Sequence, residues 1–430
     1  MWAWPLLLLT LLPGLLLVTY FLLNAHLSRQ VSRQPIGPPV DPAQVTVVVP
    51  VFEENPEIFQ ECLSGVAGQG SPFLVVGDST LEPHRTLTQN LGGTFVHLPN
   101  HVGKKAALAA GLRKVATPFV LLVDSDTILP PGAVRALSAH FVEGVGGVGA
   151  NLSVQRNGRS ISYCAEFVER SREVVLRAMS ARGSVMYLDG ACALYRTQTI
   201  RPFVDSAEFQ DLSVLGRATR LGDDWMLTDY LLRKGYRTVK AYEVRVRTYP
   251  KATFREFVDQ NVRWSRSGWI RTGHSLTDGT LRRAGRFYAF EMLVTYTIPL
   301  IALLSAVLRL PVLFRELAAI PWLNGFFTGT MPHGPSHLSQ QWWGPLVLMW
   351  PTVLGVAAGG AFVWAVAQNV ELERRRVLGY GLVASAVLFA TAIYGLLTFW
   401  KVSPWRDAPA PSSLPTTQRR GEREVAHPVD

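Results

Sequence analysis

Two textures alternate along the chain. Between residues 44 and 250, short β-branched and apolar runs are each closed by polar punctuation: VTVVVP (45–50), FLVVGDS (73–79), GTFVHLP (93–99) and PFVLLVDSD (118–126). Runs of this length and composition predict buried strands. KKAALAAGLRKV (104–115) has the residues of a helix. Such alternation predicts a doubly wound, Rossmann-like α/β domain, with a parallel sheet and helices on both faces. Ligands of these sheets bind beyond the carboxyl ends of the strands. The acidic residues fall there: Glu53 and Glu54, Asp78, then Asp124 and Asp126.

The second texture is long and apolar, in segments 2–23, 287–308, 345–368 and 377–400. A bilayer-crossing helix needs about 20 such residues. The first segment reads as an anchor or a cleaved signal peptide. No basic stretch precedes it and no small-x-small site follows, which favours the anchor. Residues 251–285 mix aromatic, aliphatic and charged residues. At 3.6 residues per turn, Phe254, Phe257, Val258 and Val262 fall near one face, predicting an amphipathic helix on a membrane surface; an ordinary surface helix is the plainer alternative. The expected layout is a transmembrane helix (1–24), a Pro-rich linker (25–43), the α/β domain (44–250), interfacial helices (251–285), a membrane region (286–400) and a polar tail (401–430). Arg29, Arg33, Arg282, Arg283 and Arg286 place the α/β domain on the cytoplasmic side of a multi-pass cell-membrane protein. The basic run 371–376 then needs two crossings before it. The basic tail asks for the same side, so 377–400 is expected to be re-entrant or interfacial.

Composition narrows the partners. The 430 residues are 48% hydrophobic with a formal charge of +10. No nucleic-acid motif is present and the arginines cluster beside apolar segments, so the expected partner of the charge is a lipid bilayer. Three cysteines without a CxxC pair speak against a disulfide framework or a structural zinc site.

Four short stretches carry candidate chemistry. Asp124-Ser125-Asp126 closes a core strand, and carboxylates two apart suit a hard cation such as Mg²⁺ or Mn²⁺ that is also held by substrate phosphates. Asp223 and Asp224 open a helix in GDDWMLTDYLLRKGY, as a structural cap or as a general base. Gln260, Arg263 and Trp264 of QNVRW share one helical face, where Arg suits a diphosphate and Trp a sugar ring. LDGACALYR (188–196) puts small residues in a turn before an aromatic and a basic residue.

In order and spacing these motifs, followed by apolar segments, resemble the processive family 2 glycosyltransferases over about residues 44–405. DGACALYR, GDDWMLT and EMLVTYTIP (291–299) are similar to hyaluronan synthases in particular, and Trp405 stands where their gating-loop Trp does. The resemblance implies a GT-A fold and an inverting polymerase taking UDP-sugar donors and a growing polysaccharide acceptor. It implies uridine contacts at Pro50, Val51, Glu53 and Asp78, with Lys104 and Lys105 near the diphosphate. Asp124 and Asp126 are implied as ligands of Mg²⁺ or Mn²⁺, Asp124 and Asp223 at the substrate, and Asp224 as the base. Cys192 is implied at the acceptor pocket, and Gln260, Arg263 and Trp264 close over acceptor and diphosphate. The implied product is hyaluronan, from UDP-GlcNAc and UDP-GlcA; the alternative is a chitin-type product from UDP-GlcNAc alone.

Overall fold

The computed structural model describes residues 3–33, 36–219, 221–319 and 343–401. An apolar helix, α1 (Ala3–Leu27), leads into the α/β domain, where the expected strands form: β1 (Val45–Val51), β2 (Phe73–Asp78), β3 (Thr94–Leu98) and β4 (Phe119–Val123). Helices α2 (Pro56–Ala67), α3 (His84–Asn90) and α4 (Lys104–Lys114) connect them. β1 is buried along its whole length. Its side chains alternate between faces. Val48 joins Leu74, Val76, Val120 and Leu122 in the core under α4. Val47 and Val49 join Val75, Leu121 and Val123 in a second core with Phe59 and Leu63 of α2.

The sheet is mixed, which corrects the expectation of an all-parallel one. After β5 (Thr127–Ile128), α5 (Ala133–Ala139), β6 (Val145–Val154) and α6 (Ser160–Ser180), the chain forms β7 (Cys192–Arg196). With β10 (Arg237–Thr248) the eight strands run β3-β2-β1-β4-β7-β6-β10-β5. β7 lies antiparallel between β4 and β6, and β5 antiparallel on β10. The cause is local. The 188–191 turn arrives at the carboxyl end of β4, where the Asp124 amide donates to the Ala191 carbonyl (3.1 Å), and Cys192 pairs with Val123 at once. A strand entering from that end has to run backwards.

α4 sits close on the sheet because Gly111 has no side chain. A Cβ there would lie 2.7 Å from Val48 Cγ1 and 3.0 Å from Val76 Cγ2, both on stiff β-branched residues. Gly111→Val is expected to destabilise the protein by about 1–3 kcal/mol through overpacking. An unchanged thermal midpoint in detergent would count against this packing.

Beyond β7 come α7 (Thr197–Val204), α8 (Ala207–Gln210), the two-residue strands β8 (Ser213–Val214) and β9 (Arg217–Ala218), and α9 (Asp223–Arg233). After β10 follow α10 (Phe254–Thr277), α11 (Thr280–Ala284), α12 (Arg286–Ala319), α13 (Trp343–Gln368), α14 (Arg374–Gly379) and α15 (Gly381–Leu396). Among the described residues one stretch, Arg286–Leu308 of α12, is long and apolar enough to cross a membrane. α15 has 16 residues; at 1.5 Å per residue it spans about 24 Å, less than the ~30 Å hydrocarbon core. The tail 402–430, with Trp405, lies outside the described residues.

α10 departs from the expected amphipathic face. Phe257 is buried, but Phe254 is 49% exposed. The buried side of the helix also carries Asn261, Arg271, Thr272 and Ser275, so it is largely polar. The reason is its position: α10 packs against α15, α12 and α6. The Trp269 indole donates to the Ala392 carbonyl (2.9 Å) and Arg266 Nε to Thr398 Oγ1 (3.1 Å). α6 is the other joint. It touches α1, α13 and α15. Phe167, Val168 and Phe257 share a core with Ala365, Val366, Val377 and Ala384.

Candidate active site

Lysine 104, the first residue of α4, is the centre of the site. Its Nζ lies 2.7 Å from Asp124 Oδ1 and 2.8 Å from Asp223 Oδ2. The elements that deliver these groups are distinct. Asp124 follows β4, Asp223 and Asp224 open α9, and Pro50, Gly190, Ala193 and Tyr195 complete the small cleft around them. Gly222, with φ of 90°, turns the chain into α9; a Cβ there would strike the Trp225 indole at 2.2 Å. That close approach fixes the direction in which the two aspartates leave the turn. The Trp225 Nε1 in turn donates to Ser267 Oγ on α10 (3.0 Å).

Burial sets the electrostatics. It works against the ionised form of Asp223, but the Lys104 ammonium outweighs it and holds that carboxyl below its ordinary value. Asp224 makes no ion pair with Lys104; burial and then the Asp223 charge push it up to about 6. Asp124 is also pushed up to about 6 by burial, with Lys104 opposing and Asp126 and Asp223 adding to the rise. Burial disfavours the charge on Lys104, but the two aspartates more than compensate and it stays protonated. The result is a cation between two carboxylates, with a third carboxylate beside them that burial and the Asp223 charge push toward its neutral form.

The Asp-Ser-Asp turn is held from three sides. Ser125 Oγ donates to Glu54 Oε2 (3.1 Å), Cys62 Sγ to the Asp124 carbonyl (3.5 Å), and the Thr127 amide to the same carbonyl (3.1 Å). Glu54, buried after β1, therefore ties the end of β1 to the end of β4. Asp126 is half-buried in that turn, and its charge is one of those raising Asp124. Mutually repelling carboxylate oxygens at one turn fit a hard divalent cation whose remaining ligands come from substrate phosphates. Among the described residues no group of three His, Cys, Asp or Glu side chains is placed to hold a metal by itself.

Other expected residues fall in different places. Asp78 is buried, and both of its oxygens are engaged: the Val102 and Gly103 amides donate to it (2.7 and 2.9 Å), and His101 Nδ1 lies 2.9 Å away. It shapes the loop that presents Lys104. Pro50 lines the cleft, while the Val51 side chain is in the core and Glu53 is exposed, with its amide donating to Thr80 Oγ1 (2.9 Å).

Two expected residues lie outside the cleft lining. Lys105 does not line the cleft: its Nζ lies 3.2 Å from Met226 Sδ and 5.4 Å from the Phe209 ring centre, and burial lowers it to about 8 against the opposing charges of Asp223 and Asp224. Neighbours on a helix point about 100° apart, which separates the two ammonium groups. Cys192 is fully buried in the core below the sheet, and Gly190 and Ala193 line the cleft in its place. Gln260 and Arg263 are half-buried on α10 and Trp264 is 36% exposed. Arg172 of α6 lies over the Trp264 ring, 5.1 Å from its centre; no spacing in the sequence connects the two.

Residues 42–267 match the model of a family described as glycosyltransferase like family 2. The chain is 28% identical over 324 residues to an N-acetylglucosaminyltransferase of Bradyrhizobium diazoefficiens, covering 72% of this chain and 64% of that protein. It is 29% identical over 326 residues to an N-acetylglucosaminyltransferase of Rhizobium meliloti, covering 70% and 75% respectively. The chain thus spans a little under two thirds of the first relative and three quarters of the second. Among solved structures it is similar to a mannosyltransferase from Pyrobaculum calidifontis in complex with GDP-Man and Mn²⁺, with a TM-score of 0.52, 16% identity, and coverage of 83% of this chain and 99% of that one. This is a likeness of fold, the GT-A arrangement.

Proposed function

This chain belongs to the glycosyltransferase-like family 2, and from that premise we propose that it is an inverting N-acetylglucosaminyltransferase using UDP-GlcNAc to extend a β-linked oligosaccharide of the chitin type. The observation that carries the reading is the Lys104 bridge between Asp124 and Asp223, with Asp224 beside it raised to about 6. In the mechanism, Asp224 takes the proton of an acceptor hydroxyl, whose oxygen attacks the anomeric carbon as the bond to UDP breaks. Lys104 offsets charge on the departing diphosphate, and Arg263 closes on it from α10. Trp264 offers its ring to the acceptor sugar. Asp124 and Asp126 would hold a divalent cation such as Mg²⁺ or Mn²⁺, which when bound neutralises diphosphate charge.

The hyaluronan reading has less support than the one-donor reading, because the curated relatives carry the name N-acetylglucosaminyltransferase. We place α1, α12 and α13 in the cell membrane with the α/β domain on the cytoplasmic side. The support is the apolar stretch Arg286–Leu308 and the arginines flanking it. One experiment tests both parts. Membranes containing the protein are washed with alkaline carbonate, solubilised, and assayed for UDP release with UDP-GlcNAc, UDP-GlcA or both. Release with UDP-GlcNAc alone and a chitinase-sensitive product is expected. Polymer formed only with both donors would restore the hyaluronan reading, and recovery of the protein in the carbonate wash would overturn its membrane placement.

A further inference from the structure

We propose that Arg172 is the positioning residue that fixes Trp264 as acceptor platform and couples it to the wall of the donor cleft. The inference rests on the reading of Trp264 given above. Arg172 is a residue of α6, a helix without any of the recognised motifs. Its guanidinium lies 5.1 Å from the centre of the Trp264 ring and 4.8 Å from that of Tyr187. All three of its nitrogens are engaged in addition: Nε donates to the Tyr187 hydroxyl (2.7 Å), Nη1 to Glu169 (2.7 Å) and Nη2 to Asp189 Oδ1 (3.0 Å). A planar fork held at three points cannot swing, so the indole packed on it is held at a fixed height.

The other end of the chain of contacts reaches the cleft. Asp189 is buried, and its second oxygen accepts from Lys240 Nζ on β10. The next residue, Gly190, is so close to the site that a Cβ there would lie 3.2 Å from Lys104 Nζ and 3.5 Å from Asp224 Cβ. Arg172 therefore joins the side chain that meets the acceptor to the backbone that backs the donor-side lysine and the base.

The test is a double-mutant cycle with a short N-acetylglucosaminyl oligosaccharide as added acceptor and UDP-GlcNAc as donor. Arg172→Lys keeps the charge beside Glu169 and Asp189, so the fold is retained, but it loses the planar stack. It is expected to raise the acceptor KM about threefold to tenfold, the size of one cation–π contact, with the donor KM and kcat held. Trp264→Ala is expected to raise the acceptor KM further, and the double variant to match Trp264→Ala alone. An unchanged acceptor KM in Arg172→Lys, an equal loss in kcat, or full additivity in the double variant would overturn the inference while leaving the platform reading intact. An unchanged acceptor KM in Trp264→Ala would instead overturn the platform reading, and the inference falls with it.

Discussion

Asp224→Asn is expected to lower turnover by about a hundredfold to ten-thousandfold, the usual contribution of a positioned general base. Asparagine keeps the size of the side chain but cannot take a proton. The fold should survive, because the Asp224 contacts that hold α9 are mostly backbone: its carbonyl accepts from Thr228 Oγ1 (2.9 Å), and only the Trp225 amide uses the carboxylate (2.7 Å). The wild-type pH profile gives an independent check. A base works only when ionised, and Asp224 is held up to about 6 by burial and Asp223. Activity is therefore lost as pH falls through about 6, with the acid limb of kcat/KM following one proton on logarithmic axes. A folded Asp224→Asn variant retaining more than a tenth of wild-type turnover would remove Asp224 from the mechanism.

The largest stability effect is expected at Arg271. This residue of α10 is fully buried. Nη2 lies 2.5 Å from Asp229 Oδ1 and Nε 3.2 Å from Oδ2, with further contacts to the Met186 carbonyl and the Tyr288 hydroxyl. Burial works against the guanidinium charge, but Asp229 outweighs it and Arg271 stays charged. Arg271→Met leaves Asp229 buried without its cation, a change that costs about 3–5 kcal/mol in comparable pairs. The double variant Arg271→Met/Asp229→Leu should recover most of the loss, since two apolar side chains leave no orphaned charge. Thermal midpoints in detergent measure both. A single variant within 1 kcal/mol of wild type would mean that water reaches Asp229, contrary to its burial. Activity should fall with stability, because Asp229 is on the helix that carries Asp224 and Arg271 on the helix that carries Arg263.

The strands β1, β2 and β4 were legible because each is buried on both faces and so reads as an uninterrupted apolar run. β7 was not. Its five residues, CALYR, lie between small residues and look like a turn until β4 and β6 supply partners on both sides. α6 does show apolar residues at helical spacing, Tyr163, Phe167, Val174 and Val175 among them, but not that Glu166, Arg170 and Glu173 are buried beside them and paired with one another. In the site, Asp124, Asp223 and Asp224 were legible from motif chemistry. The divergence of Lys104 and Lys105, and of Cys192 and Ala193, depends on which way a single residue faces, and a spacing does not record that. Arg172 and Asp189 belong to no motif. Only the docking of α6 and α10 brings them to Trp264.

That docking also changes what a boundary means here. A division near residue 285 separates polar from apolar sequence, but the molecule has no seam at that place. Tyr163 of α6 stacks on Tyr380, donates to Glu373 and accepts from Arg376, while Phe167 fills the space left by Gly381. The two halves of the chain pack together there, so cutting the chain near residue 285 would strip α6 of part of its core rather than release an intact domain.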